Sequence, residues 1–85
     1  MRVTFWYDLD APTADDVRIY WEHDGSGDHE TFTAARDALM AEATLYRDAE
    51  RQAGDLWWAE WYGTVLRYAR SLRRADVVPA VVAWL

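Results

Sequence analysis

RQAGDLWW, residues 51–58, is the stretch on which the reading of this chain turns. Gly54 suits the left-handed position just past a helix C-terminus, and Asp55 suits the cap that opens the next helix. Helical periodicity runs on both sides of the pair. Two helices with so little chain between them fold back on each other as an antiparallel hairpin.

Upstream, AARDALMAEATLYRDAERQA carries one apolar face: Ala35, Leu39, Ala43, Tyr46 and Ala53, with Ala38, Leu45 and Ala49 beside them. Thr33 stands at the expected N-cap. Asp48 is placed to pair with Arg51, and Arg47 with Glu50. Downstream, LWWAEWYGTVLRYARSLRR, residues 56–74, has only a narrow polar stripe, formed by Glu60, Thr64, Arg67, Ser71 and Arg74. Nearly everything else on this second helix is apolar, which predicts burial on two sides. The arginines near its end complement the helix dipole.

Further upstream the period changes from helical to two. RVTFWYDL places Val3, Phe5, Tyr7 and Leu9 on one side, and VRIYWEH places Val17, Ile19 and Trp21 likewise. These runs are rich in β-branched and aromatic residues, and DAPTADD between them is rich in turn formers, so they read as two antiparallel strands. Pairing Leu9 with Val17 sets Phe5 opposite Trp21, Asp8 opposite Arg18, and Trp6 opposite Tyr20. All are favourable cross-strand neighbours. HETF, residues 29–32, reads as a short third strand that returns Phe32 to the core side. At the other end, Asp76 can cap a last short helix with Pro79 in its first turn, a strand being the alternative over residues 77–85. The predicted architecture is α+β: one domain, residues 1–85, with a small antiparallel sheet of two or three strands packed on the hairpin and a short C-terminal element.

The chain has 85 residues, 52% of them apolar, with six Trp, five Tyr and two Phe. It contains no Lys, no Asn and no Cys, a bias that fits a GC-rich genome. Without Lys or Cys there is no Walker or Schiff-base lysine, no thiol nucleophile, and no thiolate-held zinc or iron–sulfur cluster. No cofactor is expected. The terminal VVPAVVAWL is too short to cross a membrane, and the N-terminus meets Asp8 before any apolar run develops, so a cytoplasmic location is expected. Net charge is −6, and the acids concentrate towards the N-terminal half. That balance argues against direct nucleic-acid binding, which needs cations to neutralise phosphate.

EHDGSGDHE, residues 22–30, is the stretch that most resembles chemistry. Its two glycines permit positive φ and its aspartates bond to turn backbone, so it reads as a solvated reversal. The sharper alternative is a nitrogen–oxygen metal site on His23 and His29 with flanking carboxylates. No ligand motif matches, and as a calcium loop DGSGD fails, with His29 and Ala35 where Gly and Glu belong. Ser26 lacks the strand–turn–helix elbow of a nucleophile. Glu60 is expected on the solvent stripe or accepting from an indole N–H. No catalytic residues are assigned, and the chain reads as non-enzymatic.

Two surfaces remain. Asp15, Asp16, Glu22, Asp24, Asp28 and Glu30 form an acidic face with few cations near it, able to occupy a basic or nucleic-acid-binding cleft on another protein. Trp6 and Tyr20 outside the sheet, with whichever of Trp57, Trp61 and Tyr68 the core leaves, form an aromatic one. The expected function is an acidic protein-binding module, an inhibitor or modulator. Small phage and mobile-element accessory proteins, such as anti-CRISPR, anti-restriction and immunity proteins, are of this general type. The alternative is a structural or regulatory homodimer with the aromatic helix as its seam.

Overall fold

The computed structural model describes residues 1–8, 10 and 12–83. At the centre of the hairpin Gly54 takes φ +81. Gly54 N–H donates to the Arg51 carbonyl at 3.1 Å and Asp55 N–H to the Glu50 carbonyl at 2.9 Å, the paired bonds that close a helix C-terminus. Asp55 Oδ1 then accepts from Trp58 N–H at 3.1 Å and opens the second helix. The helices are α1, Phe32–Gln52, and α2, Leu56–Ser71. Alanines at 35, 43, 59 and 69 are fully or almost fully buried. With so little side chain there, the elements pack closely around Leu39, Val65 and Leu66.

The sheet is three-stranded and mixed, in the order β1 (Val3–Tyr7), β2 (Val17–Trp21), β3 (Val78–Pro79). β1 and β2 are antiparallel; β3 is a two-residue strand parallel to β2. Four helical residues follow it, α3, Ala80–Ala83. Over residues 78–83 the C-terminal segment is thus strand and then helix. Val3, Val17 and Ile19 are buried, while Phe5, Tyr7 and Trp21 pack against the same core beneath α1 and α2. The sidedness read from the alternation holds throughout the described strands.

The register does not. Val3 faces Trp21, Phe5 faces Ile19 and Tyr7 faces Val17, so Trp6 lies opposite Arg18 and Thr4 opposite Tyr20. This is a slip of two residues from the predicted pairing, and a slip of two leaves every side chain on its own face. The cause is the connection. Thr13 and Asp16 form a capping box around a 3₁₀ turn, Ala14–Asp16, and the ladder continues through Asp8 N–H to the Asp16 carbonyl at 3.0 Å. The capped turn needs a longer loop than the predicted seven residues. The expected inward position of Leu9 lies outside the described residues.

Three further expectations are corrected. HETF is not a strand: only His29 pairs, in a single antiparallel bridge to Val3, and Phe32 already belongs to α1. The N-cap is Thr31, not Thr33, its hydroxyl accepting from Ala34 N–H at 3.1 Å. α2 stops at Ser71, where Leu72 turns to extended backbone, and Arg73 and Asp76 clamp a second 3₁₀ turn that aims the chain into β3. Asp76 therefore serves this turn rather than a terminal helix, and Pro79 ends β3. We expect Thr31→Ala to cost about 1 kcal/mol and Thr33→Ala within about 0.5 kcal/mol, read from urea midpoints. Equal losses would remove the assignment of the cap.

Candidate protein-binding surface

Because α1 and α2 pack on one face of the sheet, Thr4, Trp6, Arg18 and Tyr20 point to the other. Trp6 and Tyr20 are half-buried there. The reversal at 22–30 is not the free loop its composition predicts. It opens as a turn, with Gly25 at φ +73 and its N–H on the Glu22 carbonyl at 3.1 Å. Its second half then docks along the free edge of β1. Val3 and His29 exchange backbone bonds of 2.8 and 2.9 Å, Arg2 Nε donates to the Gly27 carbonyl at 2.6 Å, and Asp28 N–H donates to Thr4 Oγ1 at 3.1 Å.

That docking brings Asp28 to the end of the face where Tyr20 lies opposite Thr4. Burial first, and then the carboxylates of Glu22 and Asp28, raise the Tyr20 hydroxyl above the usual phenol range. Two groups that the sequence places in separate surfaces therefore share one end of the outer face. The remaining acids divide by task. Asp16 accepts from Thr13 N–H and Oγ1, and Asp24 accepts from Ser26 N–H at 3.0 Å, so both hold turns. The bonds from Ser26 keep the Asp24 carboxyl below its ordinary range. Asp15 is exposed, and Glu30 sits 3.8 Å from Arg2 at the rim. Arg18 Nε donates to the Asp15 carbonyl, which ties this outer-face arginine to the turn.

The aromatic helix supplies less surface than its sequence suggests. Trp61 is only 7% exposed, wedged between Tyr7, Trp58 and Tyr62, so the core claims it. Tyr68 is half-buried with the Arg67 guanidinium 5.8 Å from its ring centroid. Trp57 is 63% exposed and remains available. Tyr68 also lines a cleft of about 580 Å³ with Val17, Ile19, Leu72 and Val82, which the sequence does not announce. Its walls come from β2, α2 and α3, elements far apart in the chain. Among the described residues the carboxylates lining it are Asp15 and Asp76, and Asp76 is engaged by Arg73 at 3.0 Å.

The two histidines are each engaged by a ring. His23 meets the Trp21 ring edge-on at 4.8 Å, and His29 stacks on Phe5 at 5.8 Å. Among the described residues no three His, Asp or Glu side chains converge on a common point. Glu60 is exposed on the solvent stripe, and the Trp61 indole N–H, buried, finds no acceptor. The helix ion pair is also rearranged: Arg47 Nε meets Asp48 Oδ1 at 3.3 Å instead of pairing with Glu50. No helix of the described residues is long and apolar enough to cross a membrane. No protein-family model, curated protein or solved structure matches this chain.

Proposed function

We propose that this chain is a non-enzymatic protein-binding module, an inhibitor or modulator that places its outer sheet face in a basic cleft of another protein. One observation carries the reading. The docked 22–30 segment sets Glu22 and Asp28 beside Tyr20 on the face that the helices leave uncovered. An aromatic anchor with acids beside it suits a cationic partner, with the ring giving affinity and the acids giving encounter rate and selectivity. A basic cleft built to hold nucleic-acid phosphate is the partner type whose charge fits best. The accessory inhibitors of phages and mobile elements belong to this class by character, and a cytoplasmic setting accompanies the proposal.

The test is capture from a lysate of its own cells, followed by association kinetics with the captured protein. Asp15→Arg/Asp28→Arg avoids the turn-forming Asp16 and Asp24. We expect it to slow association roughly ten-fold at low salt and to flatten the salt dependence. An unchanged rate, or no captured protein at low salt, would overturn the proposal. The homodimer alternative is weakened because α2 spends Trp61 on the core. It would return if solution mass doubled and Trp57→Ala restored the monomer.

A further inference from the structure

The helices outrun the sheet. α1 has 21 residues, so it is about 31 Å long, whereas the five residues of β1 span about 17 Å. β1 ends at Tyr7, and among the described residues no strand covers the hairpin beyond it, where Trp58 and Tyr62 are half-buried and Trp57 is exposed. Ring contacts run along it without a break: Tyr46 to Tyr62 at 5.5 Å, Tyr62 to Trp58 at 6.3 Å, Trp58 to Trp57 at 4.8 Å. Tyr46 is 43% exposed, although it continues the stripe of Leu39 and Ala43.

Two carboxylates border these rings. Glu42 Oε2 accepts from the Tyr7 hydroxyl at 2.6 Å, and Glu50 lies one helical turn beyond Tyr46. Every influence resolved on the Tyr62 hydroxyl raises its pKa: burial first, then Glu50, Tyr46 and Glu42. A nearby guanidinium would act in the opposite sense. Of the hairpin's arginines, Arg36 lies over the Phe32 ring at the other end of α1, and Arg47, Arg51 and Arg67 line a shallow groove with Glu60 and Gly63. The tip thus joins π faces and two acids, and the arginines nearest to them, Arg47 and Arg51, are grouped with Glu60 in the groove.

This chemistry selects among occupants. A second copy joined by a two-fold seam would bring four carboxylates together in an apolar interface, at a desolvation cost that nothing there offsets. Nucleic acid and anionic membrane would be repelled. A guanidinium fits both features, stacking on indole and phenol rings while its fork donates to carboxylate.

We propose that the hairpin tip is a second docking surface, which takes an arginine of a basic partner segment onto Trp57, Trp58 and Tyr62 with Glu50 as its counter-ion. It is separate from the outer sheet face and stands whether or not that face binds. The test titrates the protein with a blocked arginine-bearing peptide and with the same peptide carrying citrulline, the neutral isostere. Amide shifts and tryptophan fluorescence are the readouts. Saturable binding of the arginine peptide is expected, with shifts centred on residues 46, 57, 58 and 62. Citrulline, Trp57→Ala and Glu50→Gln should each weaken it by about five-fold or more, with melting temperature unchanged in both variants, while Asp28→Arg on the outer face leaves it as it was. Equal binding of the two peptides, shifts confined to the outer face, or a dimer that Trp57→Ala dissolves would each overturn the proposal.

Discussion

Gly27→Ala is expected to destabilise the domain by roughly 3 kcal/mol or more, and to do so by undocking the 22–30 segment. A Cβ at this position would stand 2.5 Å from the Arg2 carbonyl carbon and 2.5 Å from Val3 N, both backbone atoms that no rotamer change can move. Only separation of the segment from β1 relieves the contact. Separation forfeits the paired Val3–His29 bonds and the bonds from Arg2 to the Gly27 and Asp28 carbonyls, each worth about 1 kcal/mol net. Gly25→Ala is the control. Gly25 has φ +73 with open space where a Cβ would go, so it incurs only the left-handed strain of about 1–2 kcal/mol. Urea denaturation gives the totals, and hydrogen exchange at Val3 and His29 locates the loss. If Gly27→Ala leaves those two amides protected, the close approach of the two segments is wrong. The same variant bears on function, because an undocked segment carries Asp28 away from Tyr20.

The second large effect separates two tryptophans four residues apart. Trp61→Ala should cost about 3–5 kcal/mol, since it empties a site enclosed by Tyr7, Trp58, Tyr62 and the Val17–Leu39–Val65 cluster. Trp57→Ala removes a ring that is 63% exposed and should change stability by no more than about 0.5 kcal/mol. Trp61→Phe falls between them, because it loses volume but also removes the buried indole N–H that has no acceptor. Thermal or urea unfolding of the three variants is sufficient to read the order. Similar losses at 57 and 61 would mean that Trp57 is covered, which would also remove the exposed aromatic tip.

What was legible in the residues alone is what depends on local chemistry. Gly54 and Asp55 act through their own backbone and side chain, so the hairpin and its caps follow from the residue types. Alternation with period two assigns a face to each strand residue whatever it pairs with, so Val3, Val17 and Ile19 were identifiable as core. The two-residue slip in register left that assignment untouched and for the same reason escaped notice. Only the capped turn at 13–16, which closes the ladder at Asp8 and Asp16, chose between the registers.

Tertiary structure decided wherever an outcome depended on where a partner element ends. The stripe Ala35, Leu39, Ala43, Tyr46 is continuous in sequence, yet its first three members are buried and Tyr46 is exposed, because the sheet stops at Tyr7. The aromatic helix likewise offers Trp57 and Trp61 with equal apolarity, and only the approach of Tyr7 and Trp58 takes one of them inside. Gly27 was expected to supply an unusual φ; its real constraint is the backbone of Arg2 and Val3, about 25 residues earlier in the chain. The Glu42–Tyr7 bond spans 35 residues, and the gathering of Asp28 beside Tyr20 rests on the same docking. Periodicity records which face of an element is apolar. It carries no record of how far the neighbouring element extends to cover that face, and this extent sets both candidate surfaces.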